Sequence, residues 1–462
     1  MNRCKLVLAL GGSLLMGLAG AVRADTSDAD LRAEVQRLNN RLAEVEGKQN
    51  ANWLNERRAE EIKGLIRDVI NDADTRASLL ADGATAGHDG NFFVGSADGA
   101  NVMKIWGQIQ FRYLFNIENA NAGDKEDEGF DVRRAKIGFS GHVTAGRVWD
   151  YEVVLSIAAG GGAFFQDVRV GTELAEGLRV DVGLFKLPFT REELMSSKYT
   201  TGVERSYFNE FFTGNRAEQI QVTYTAEMFK VRGSISDGMN SFQSPVGTDL
   251  TEIALTGRVD VKLMGTWEQG DDFIAWTGEG TSVLVGAAIH FETSDGANGA
   301  GAGNYLSWTV DASGEFANIG IYAAIAGGHI INGGPGASVD AIGITVEVNY
   351  NINDQWVPFL RYDMVNDDIL GTSTDHFITA GINYYFAKHN AKFTLDVVWF
   401  VQGGGAVAAG PENGGGLGTG DGFSGGGTGG GVSFGGVPFA GTPGDIHAKD
   451  NVVIRAQFQL LF

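Results

Sequence analysis

The sequence predicts an all-β transmembrane barrel of 16 antiparallel strands, preceded by an N-terminal α-helical coiled-coil segment. Three observations lead to this fold class. From residue 102 onward, apolar and polar side chains alternate with a period of two, as they do in half-buried strands. The connections between these stretches alternate between long and short. Glycine supplies 68 of the 462 residues and proline only 7, which is typical of many strands joined by glycine-rich connections.

The alternation is clearest in the first predicted strand. There Ile109, Phe111 and Tyr113 alternate with Gln110 and Arg112, which gives the strand one apolar and one polar face. A strand of a soluble β-sandwich could show the same pattern, but here it recurs to the end of the chain. The 16 strands are expected to begin near residues 102, 130, 149, 164, 178, 219, 228, 252, 282, 305, 317, 339, 355, 376, 391 and 451. An even number is typical of outer-membrane barrels.

The predicted connections fall into two classes. The long ones are 119–129, 190–218, 237–248, 293–303, 327–337, 366–375 and 403–449, and the short ones are 144–147, 175–177, 225–227, 313–316, 351–354 and 388–390. Outer-membrane barrels show this asymmetry, with short periplasmic turns and long outer loops. One connection, Thr266–Gly280, is long although it falls on the short side, which indicates either an elaborated turn or a misplaced strand. The glycine-rich segment Gly403–Gly444 is expected to be a flexible outer loop.

Composition and motifs argue against several classes of function. The formal net charge of −22 disfavours nucleic-acid binding, which needs an excess of basic residues. The sequence has no G-x-S-x-G or comparable nucleophile motif, and its seven histidines lack the spacing of metal ligands. We therefore expect no enzyme, no catalytic residue, no metal site and no cofactor. The single cysteine, Cys4, lies in a predicted signal peptide, so disulfides are not expected.

The first 101 residues divide into three predicted segments. Residues 1–24 have the basic start, apolar core and small-residue cleavage site of a signal peptide, with cleavage after Ala24. Residues 25–80 are helical in pattern, residues 81–101 are predicted to be a linker, and the barrel is expected to span 102–462. The helical segment has apolar residues at the a and d spacing of a coiled coil: Leu31, Val35, Leu38, Leu42 and Val45. A short amphipathic helix packed elsewhere would show the same pattern, and this alternative stays open.

One stretch of the predicted barrel resembles a known family. The run VRRAKIGF at Val132–Phe139 is followed by WDYEV, by a strand ending in VGLFKLPF, and by SSKY and VERSYF. Together these motifs resemble the phosphate-selective porin O and P family. The resemblance covers roughly residues 102–462 and is strongest over 130–212. The final residues Gln459–Phe462 also look like the signal that the barrel-insertion machinery reads.

The resemblance implies a trimeric channel of 16 strands in the outer membrane, with basic residues on its wall and on an inward loop that guide anions. Carried over residue by residue, it suggests Arg134 and Lys136 on the second strand, and Arg191, Lys198 and Arg205 on the loop. This chain departs from the family pattern because it is strongly acidic, which puts anion preference in doubt.

The alternation itself places a wider set of cations on the polar strand faces. These are Arg134, Lys136, Arg169, Arg179, Arg232 and Arg258. Polar faces are expected to point to the lumen, because a charge facing lipid at the bilayer midplane costs roughly 2–4 kcal/mol. There the cations either set the field that ions cross or merely pair with nearby carboxylates. The loop at 190–218 also carries four glutamates, so a mixed field across the channel fits the sequence as well as a ladder of anion-guiding cations does.

The expected function is an outer-membrane porin that lets small hydrophilic solutes or ions diffuse passively, with a preference for phosphate or other anions as the finer expectation. The alternative is a structural or adhesive protein that uses the barrel as an anchor. The expected partners are small ions and solutes, outer-membrane lipid, two further copies in a homotrimer, and peptidoglycan through the N-terminal helices.

Overall fold

A computed structural model describes residues 28–52, 84–118, 125–157, 163–239, 241, 251–294, 303–331, 339–367, 374–402 and 452–462. Residues 1–82 and 83–462 form two separate units. The first unit contains one described helix, α1 (Asp28–Asn52), within the predicted helical segment. The predicted signal peptide, the rest of the helical segment and the Gly403–Gly444 loop lie outside the described residues. None of the described helices is long and apolar enough to cross a bilayer.

The second unit is built from strands. They are β1 (Ala84–Asp89), β2 (Asn91–Ser96), β3 (Asn101–Glu118), β4 (Lys125–Ala145), β5 (Arg147–Ile157), β6 (Ala163–Ala175), β7 (Leu178–Lys186), β8 (Arg216–Thr225), β9 (Phe229–Ser236), β10 (Thr251–Met264), β11 (Ser282–Ser294), β12 (Gly303–Phe316), β13 (Ile319–Ile331), β14 (Val339–Tyr350), β15 (Trp356–Asp367), β16 (Thr374–Ala387), β17 (Ala391–Gln402) and β18 (Val452–Leu461).

Strands β3 to β18 form a closed antiparallel barrel of 16 strands. Each strand pairs with its neighbours in sequence, and β18 closes the barrel by pairing with β3. The 16-stranded barrel that the sequence predicts is therefore confirmed. The observed strands also begin close to the predicted positions, because alternation and turn chemistry are local signals that the sequence displays directly.

A β-hairpin, β1–β2, lies where the sequence predicts a linker. Its second strand pairs with Val102–Ile105 of β3. Strand β3 has 18 residues but β18 has only 10, so the start of β3 would otherwise present an unpaired edge. Covering such an edge is a common protection against unwanted pairing, and a segment rich in Gly and Ala gives little sign of it in sequence.

The outer surface of the barrel is apolar. Phe111, Phe130 and Leu360 are 44%, 73% and 56% exposed, and they belong to a band of exposed apolar side chains on the outward strand faces. A soluble protein rarely exposes such a continuous apolar band, whereas a transmembrane barrel needs it in contact with lipid.

Two connections fold into the barrel. The first, here called the constriction loop, comprises residues 187–215 and contains the short helices α2 (Arg191–Leu194) and α3 (Tyr207–Phe212). The second, here called the inward turn, comprises residues 265–281 and contains a 3-10 helix at Glu268–Asp271. The inward turn explains the exceptional long connection in the sequence pattern: the flanking strands lie where the sequence predicts them, and the turn itself is elaborated.

These two elements pack against one side of the barrel interior. The constriction loop and the inward turn share one apolar cluster with inward-facing wall residues of β12 to β18. Its members are Met195, Tyr207, Phe208, Phe211, Phe212, Phe273, Tyr305, Tyr322, Ala324, Ala326, Ala341, Val365, Phe377, Val398, Phe400 and Val453. The wall on this side also carries buried ion pairs, such as Arg455 with Asp396 at 2.7 Å, and an open cavity lies along β3 to β9.

Candidate functional site: the constricted lumen

The open part of the lumen, here called the main cavity, has a volume of about 710 Å³. It lies between residues 194–199 of the constriction loop and the wall formed by β3 to β9. Its charged lining consists of six cations, Lys136, Arg169, Lys186, Lys198, Arg216 and Arg232, and four carboxylates, Glu152, Asp167, Asp181 and Asp271. Six against four is an excess of two formal positive charges among the lining residues, in a chain whose total is −22. Asp260 and Glu193, which pair with Arg232 and Lys186, lie behind this lining.

The position of the constriction loop is fixed by a cluster that we call the arginine clamp. Glu204 of the loop is fully surrounded by three guanidinium groups of the wall. Its Oε1 lies 2.9 Å from Arg112 and 2.5 Å from Arg133, and its Oε2 lies 2.9 Å from Arg134. Glu204 is 1% exposed, so these ion pairs are shielded from solvent, where removing one partner is far more costly than at a surface.

A β-bulge in β4 makes the clamp possible. Gln110 pairs with Arg134, whereas the next residue, Phe111, pairs with Val132, so Arg133 is the extra residue of the bulge. In a regular strand, consecutive side chains point to opposite faces. The bulge changes the direction of the strand locally, and both Arg133 and Arg134 reach the same glutamate inside the barrel.

Other wall residues hold the backbone of the loop on either side of Glu204. The Val203 N–H donates to Asp396 of β17 at 2.9 Å. Arg361 of β15 donates to the carbonyl oxygens of Glu204 and Arg205 at 3.3 and 3.2 Å. The loop therefore crosses from its base at β7 and β8 to the opposite wall, and the main cavity is the space that it leaves.

The comparisons with known proteins agree with this geometry. The family model of phosphate-selective porins O and P matches residues 104–347, more than half of the chain. The chain belongs to this family. It is an outer-membrane porin. No curated protein sequence matches the chain significantly.

Among solved structures, the anion-selective porin of Comamonas acidovorans has a TM-score of 0.53 at 13% identity, and the match covers 78% of this chain and 99% of that one. A loop-deletion mutant of OmpT from Vibrio cholerae has a TM-score of 0.50 at 11% identity, covering 79% and 100%. Salmonella typhi OmpF in complex with daunomycin has a TM-score of 0.50 at 12% identity, covering 79% and 98%. At these identities the likeness concerns the fold.

Four of the nine predicted pore-lining cations lie at the main cavity of this porin: Lys136, Arg169, Lys198 and Arg232. The Nζ of Lys136 lies 3.3 Å from the hydroxyl of Ser197. Arg169 and Arg232 face the cavity while paired with the carboxylates of Asp181 and Asp260, at 2.9 and 2.8 Å. Pairing weakens the field of these two arginines.

Lys198 lies beside two aromatic rings at the cavity. Its Nζ is 5.4 Å from the ring centre of Trp106 and 5.0 Å from that of Tyr199, within the range of cation–π attraction. The Trp106 ring lies so close to Gly138 that a Cβ there would be 2.0 Å from the ring. A glycine in β4 thus allows the tryptophan to lie flat against the wall and leaves the cavity open.

The other predicted cations do not line the main cavity. Arg134 belongs to the arginine clamp, and Arg205 donates to the Glu192 and Met195 carbonyls within the loop. Arg258 pairs with Asp311 at 2.8 Å. The remaining two are Arg179, which pairs with Asp150 and Asp181 on the wall, and Arg191, which lies at a smaller cavity of about 100 Å³ near the inward turn.

Sequence reasoning does not find several residues of the candidate site. Lys186 and Arg216 line the main cavity, and they occupy the strand ends next to the loop, where alternation is too short to assign a face. Arg112 and Glu204 were visible as charged residues, but their pairing joins positions 92 apart in the chain. Local periodicity carries no information about such a long-range contact.

Proposed function

We propose that this porin conducts small anions in mild preference to cations, by passive diffusion through the main cavity. The observation that carries the proposal is the excess of cations over carboxylates at that cavity. It arises although the whole chain is acidic, so the lining of the main cavity opposes the overall charge. Ions crossing a pore respond to the charges that line it.

The expected preference is limited by solvent and salt. A unit charge about 7 Å from a passing ion contributes about 0.6 kcal/mol in water, so two net charges contribute roughly 1.2 kcal/mol before salt screening. The same charges repel a cation by as much, so the difference between an anion and a cation is roughly 2.4 kcal/mol, or at most about 50-fold at about 1.4 kcal/mol per factor of ten. Screening at physiological salt, with a Debye length of about 8 Å, reduces this difference to roughly 1 kcal/mol, or about 5-fold.

The test is the reversal potential of the purified protein in a planar bilayer with a potassium chloride gradient. The proposal expects a potential of the sign for chloride preference. Lys136→Gln and Lys198→Gln should each move it toward cations, because each removes one cavity cation. Lys104→Gln is a matched control, since Lys104 does not line the main cavity. A cation-preferring wild type, or cavity variants that behave like the control, would contradict the proposal.

We also propose the domain organisation and assembly of the chain: a signal peptide at 1–24, a periplasmic helical segment at 25–80, and three copies held together through α1. Val35, Leu38 and Leu42 are more than half exposed on α1, at the spacing of a coiled-coil seam. Burying such residues against two further copies would remove them from water. N-terminal sequencing of the exported protein tests the signal peptide. The native mass of a Leu38→Glu variant, compared with that of an Arg41→Glu control, tests the assembly through α1. The same variants allow binding to purified peptidoglycan to be compared.

A second candidate function rests on the packed side of the lumen. An apolar cluster packs inside the barrel along β12 to β18. A barrel that serves only as the anchor of a structural or adhesive protein would also have a packed interior. Such a protein would insert into bilayers without giving stepwise current. Stepwise conductance of the wild type decides against this alternative.

A further inference from the structure

The inward turn differs from the other described connections at its end of the barrel. Those connections are short; the link between β12 and β13, for example, has two residues, Ala317 and Asn318. Residues 265–281 instead cross the lumen from β10 and β11 toward β13 to β16. A longer connection at this end of the barrel is exceptional in this class, and the course of this one shows what the extra residues contact.

Asp272 is the polar centre of the inward turn. Its carboxylate accepts hydrogen bonds from the Ile274 N–H at 2.8 Å and from the Trp276 indole N–H at 3.1 Å. It also lies 2.9 Å from Nε2 of His389, in the turn between β16 and β17. One side chain thus fixes the conformation of the segment and attaches it to the far wall.

The backbone of the turn is held by two asparagines of that wall. Asn349 donates to the Phe273 carbonyl at 2.8 Å, and Asn351 donates to the Ala275 carbonyl at 2.9 Å. A Cβ at Gly320 of β13 would lie 1.9 Å from the Phe273 carbonyl oxygen. The turn therefore packs directly on the wall, at a position where the wall has no side chain.

Apolar contacts also hold the turn against this wall. Ile274 is fully buried and clusters with Trp276, Val357 and Tyr385. The Phe273 ring stacks on a wall tyrosine, with 4.2 Å between ring centres. Burial removes these large apolar side chains from water, so the segment is a stably packed part of the fold.

The inward turn also touches the constriction loop. Arg191 of α2 donates to the Gly270 carbonyl at 3.3 Å. Phe273 lies in the same apolar cluster as Met195 and Phe208 of the loop. The ring of Tyr199, next to the cavity lysine, is 5.0 Å from the ring of His389, which contacts the turn. The loop and the turn therefore form one packed body inside the barrel.

We propose that the inward turn is a positioning element of the pore: it closes the β12–β16 side of the lumen at the short-turn end and supports the constriction loop, so that ions pass only along the β3–β9 wall. This inference rests on the proposed function. The turn sets the conducting cross-section through the packing of Asp272, Phe273, Ile274 and Trp276, while the lining charges set the ion preference.

The main test replaces residues 265–281 with the dipeptide Asn-Gly, a favourable two-residue hairpin. Single-channel conductance in planar bilayers should rise about twofold, because water and ions enter the formerly packed half of the lumen. Asp272→Ala is a milder variant that keeps the chain length but removes three hydrogen bonds; its open-channel current should become noisier and its mean conductance larger. Glu279→Gln, which loses only an exposed ion pair with Lys388, is the control.

The outcomes separate this inference from the proposed function. Wild-type protein without stepwise current contradicts the proposed function. If the wild type conducts but the Asn-Gly and Asp272→Ala variants match Glu279→Gln in conductance and noise, only the positioning role is contradicted. If the Asn-Gly variant does not fold, as judged by heat-modifiable migration of the barrel, the Asp272→Ala recording decides.

Discussion

Replacing Glu204 with glutamine should release the constriction loop without removing any contact within the wall. In the native clamp, Glu204 pairs with three arginines of the wall. One of them, Arg112, also pairs with Asp131 at 2.8 Å. The variant keeps the size of the side chain but leaves three guanidinium groups around one remaining carboxylate. Arg112 and Arg134 are only 3% and 2% exposed, so water compensates them poorly.

The magnitude follows from this burial. Removing one partner of a buried ion pair typically costs about 3–5 kcal/mol, because the other charge stays buried without compensation. Opening of the loop relieves that cost in the variant, so the opening equilibrium should shift by about 100-fold or more, at about 1.4 kcal/mol per factor of ten. Strand amides far from the loop should be unaffected, since effects at separate sites are independent.

Amide hydrogen exchange of the purified barrel in detergent measures this shift. In Glu204→Gln, exchange at residues 200–206, including the Val203 amide that donates to Asp396, should accelerate by about 100-fold or more. Asp131→Asn is the matched control, because it removes a carboxylate from the same arginine on the wall side and leaves the loop contact in place. Equal exchange in wild type and Glu204→Gln, or equal acceleration in the control, would refute the clamp.

Three further predictions concern the packed half of the barrel. Gly320→Ala should lower the unfolding temperature and raise the conductance, because the new Cβ collides with the inward turn at a cost of about 1–3 kcal/mol. The control Gly233→Ala, whose new Cβ enters open space, should change neither property. Burial and the positive charge of Lys392 hold the pKa of His389 below its usual value, against the opposing effect of Asp272. As the pH falls, the unfolded chain therefore takes up the proton first, and the thermal stability of the protein should decrease below about pH 6.5. The variant His389→Asn should flatten this pH profile, and an unchanged profile would contradict the assignment. Arg258→Gln should reduce stability by about 3–5 kcal/mol in detergent unfolding, because it leaves a buried carboxylate unpaired, and a wild-type unfolding midpoint would exclude this role.

Much of the fold could be predicted because the relevant signals are local. Period-two alternation in β3 identifies its lipid face from Ile109 to Phe115 without any knowledge of the other strands. The exceptional length of the 266–280 connection was visible in the same way, although its inward course was not. The hairpin β1–β2 escapes prediction because its six-residue strands are too short for alternation to emerge.

The candidate site could be predicted only in part. Alternation correctly turns Arg134 and Lys136 toward the lumen, where both are buried, yet it treats them as equivalent. Arg134 contacts Glu204 across 70 residues of chain, whereas Lys136 reaches the main cavity. The difference arises from the bulge at Arg133 and from the course of a loop that follows no periodic pattern.

The sequence by itself determined the class of molecule: how many times the chain crosses the bilayer, which face of each strand meets lipid, and which connections are long. These properties follow from side chains that alternate along one strand, and each strand specifies them alone. Only the tertiary structure decided which side of the lumen the loop and the turn fill and which side keeps an open, charged cavity. That choice depends on a buried glutamate meeting three arginines, and on a turn packed over a wall glycine, which are contacts between residues that become neighbours only when the barrel closes.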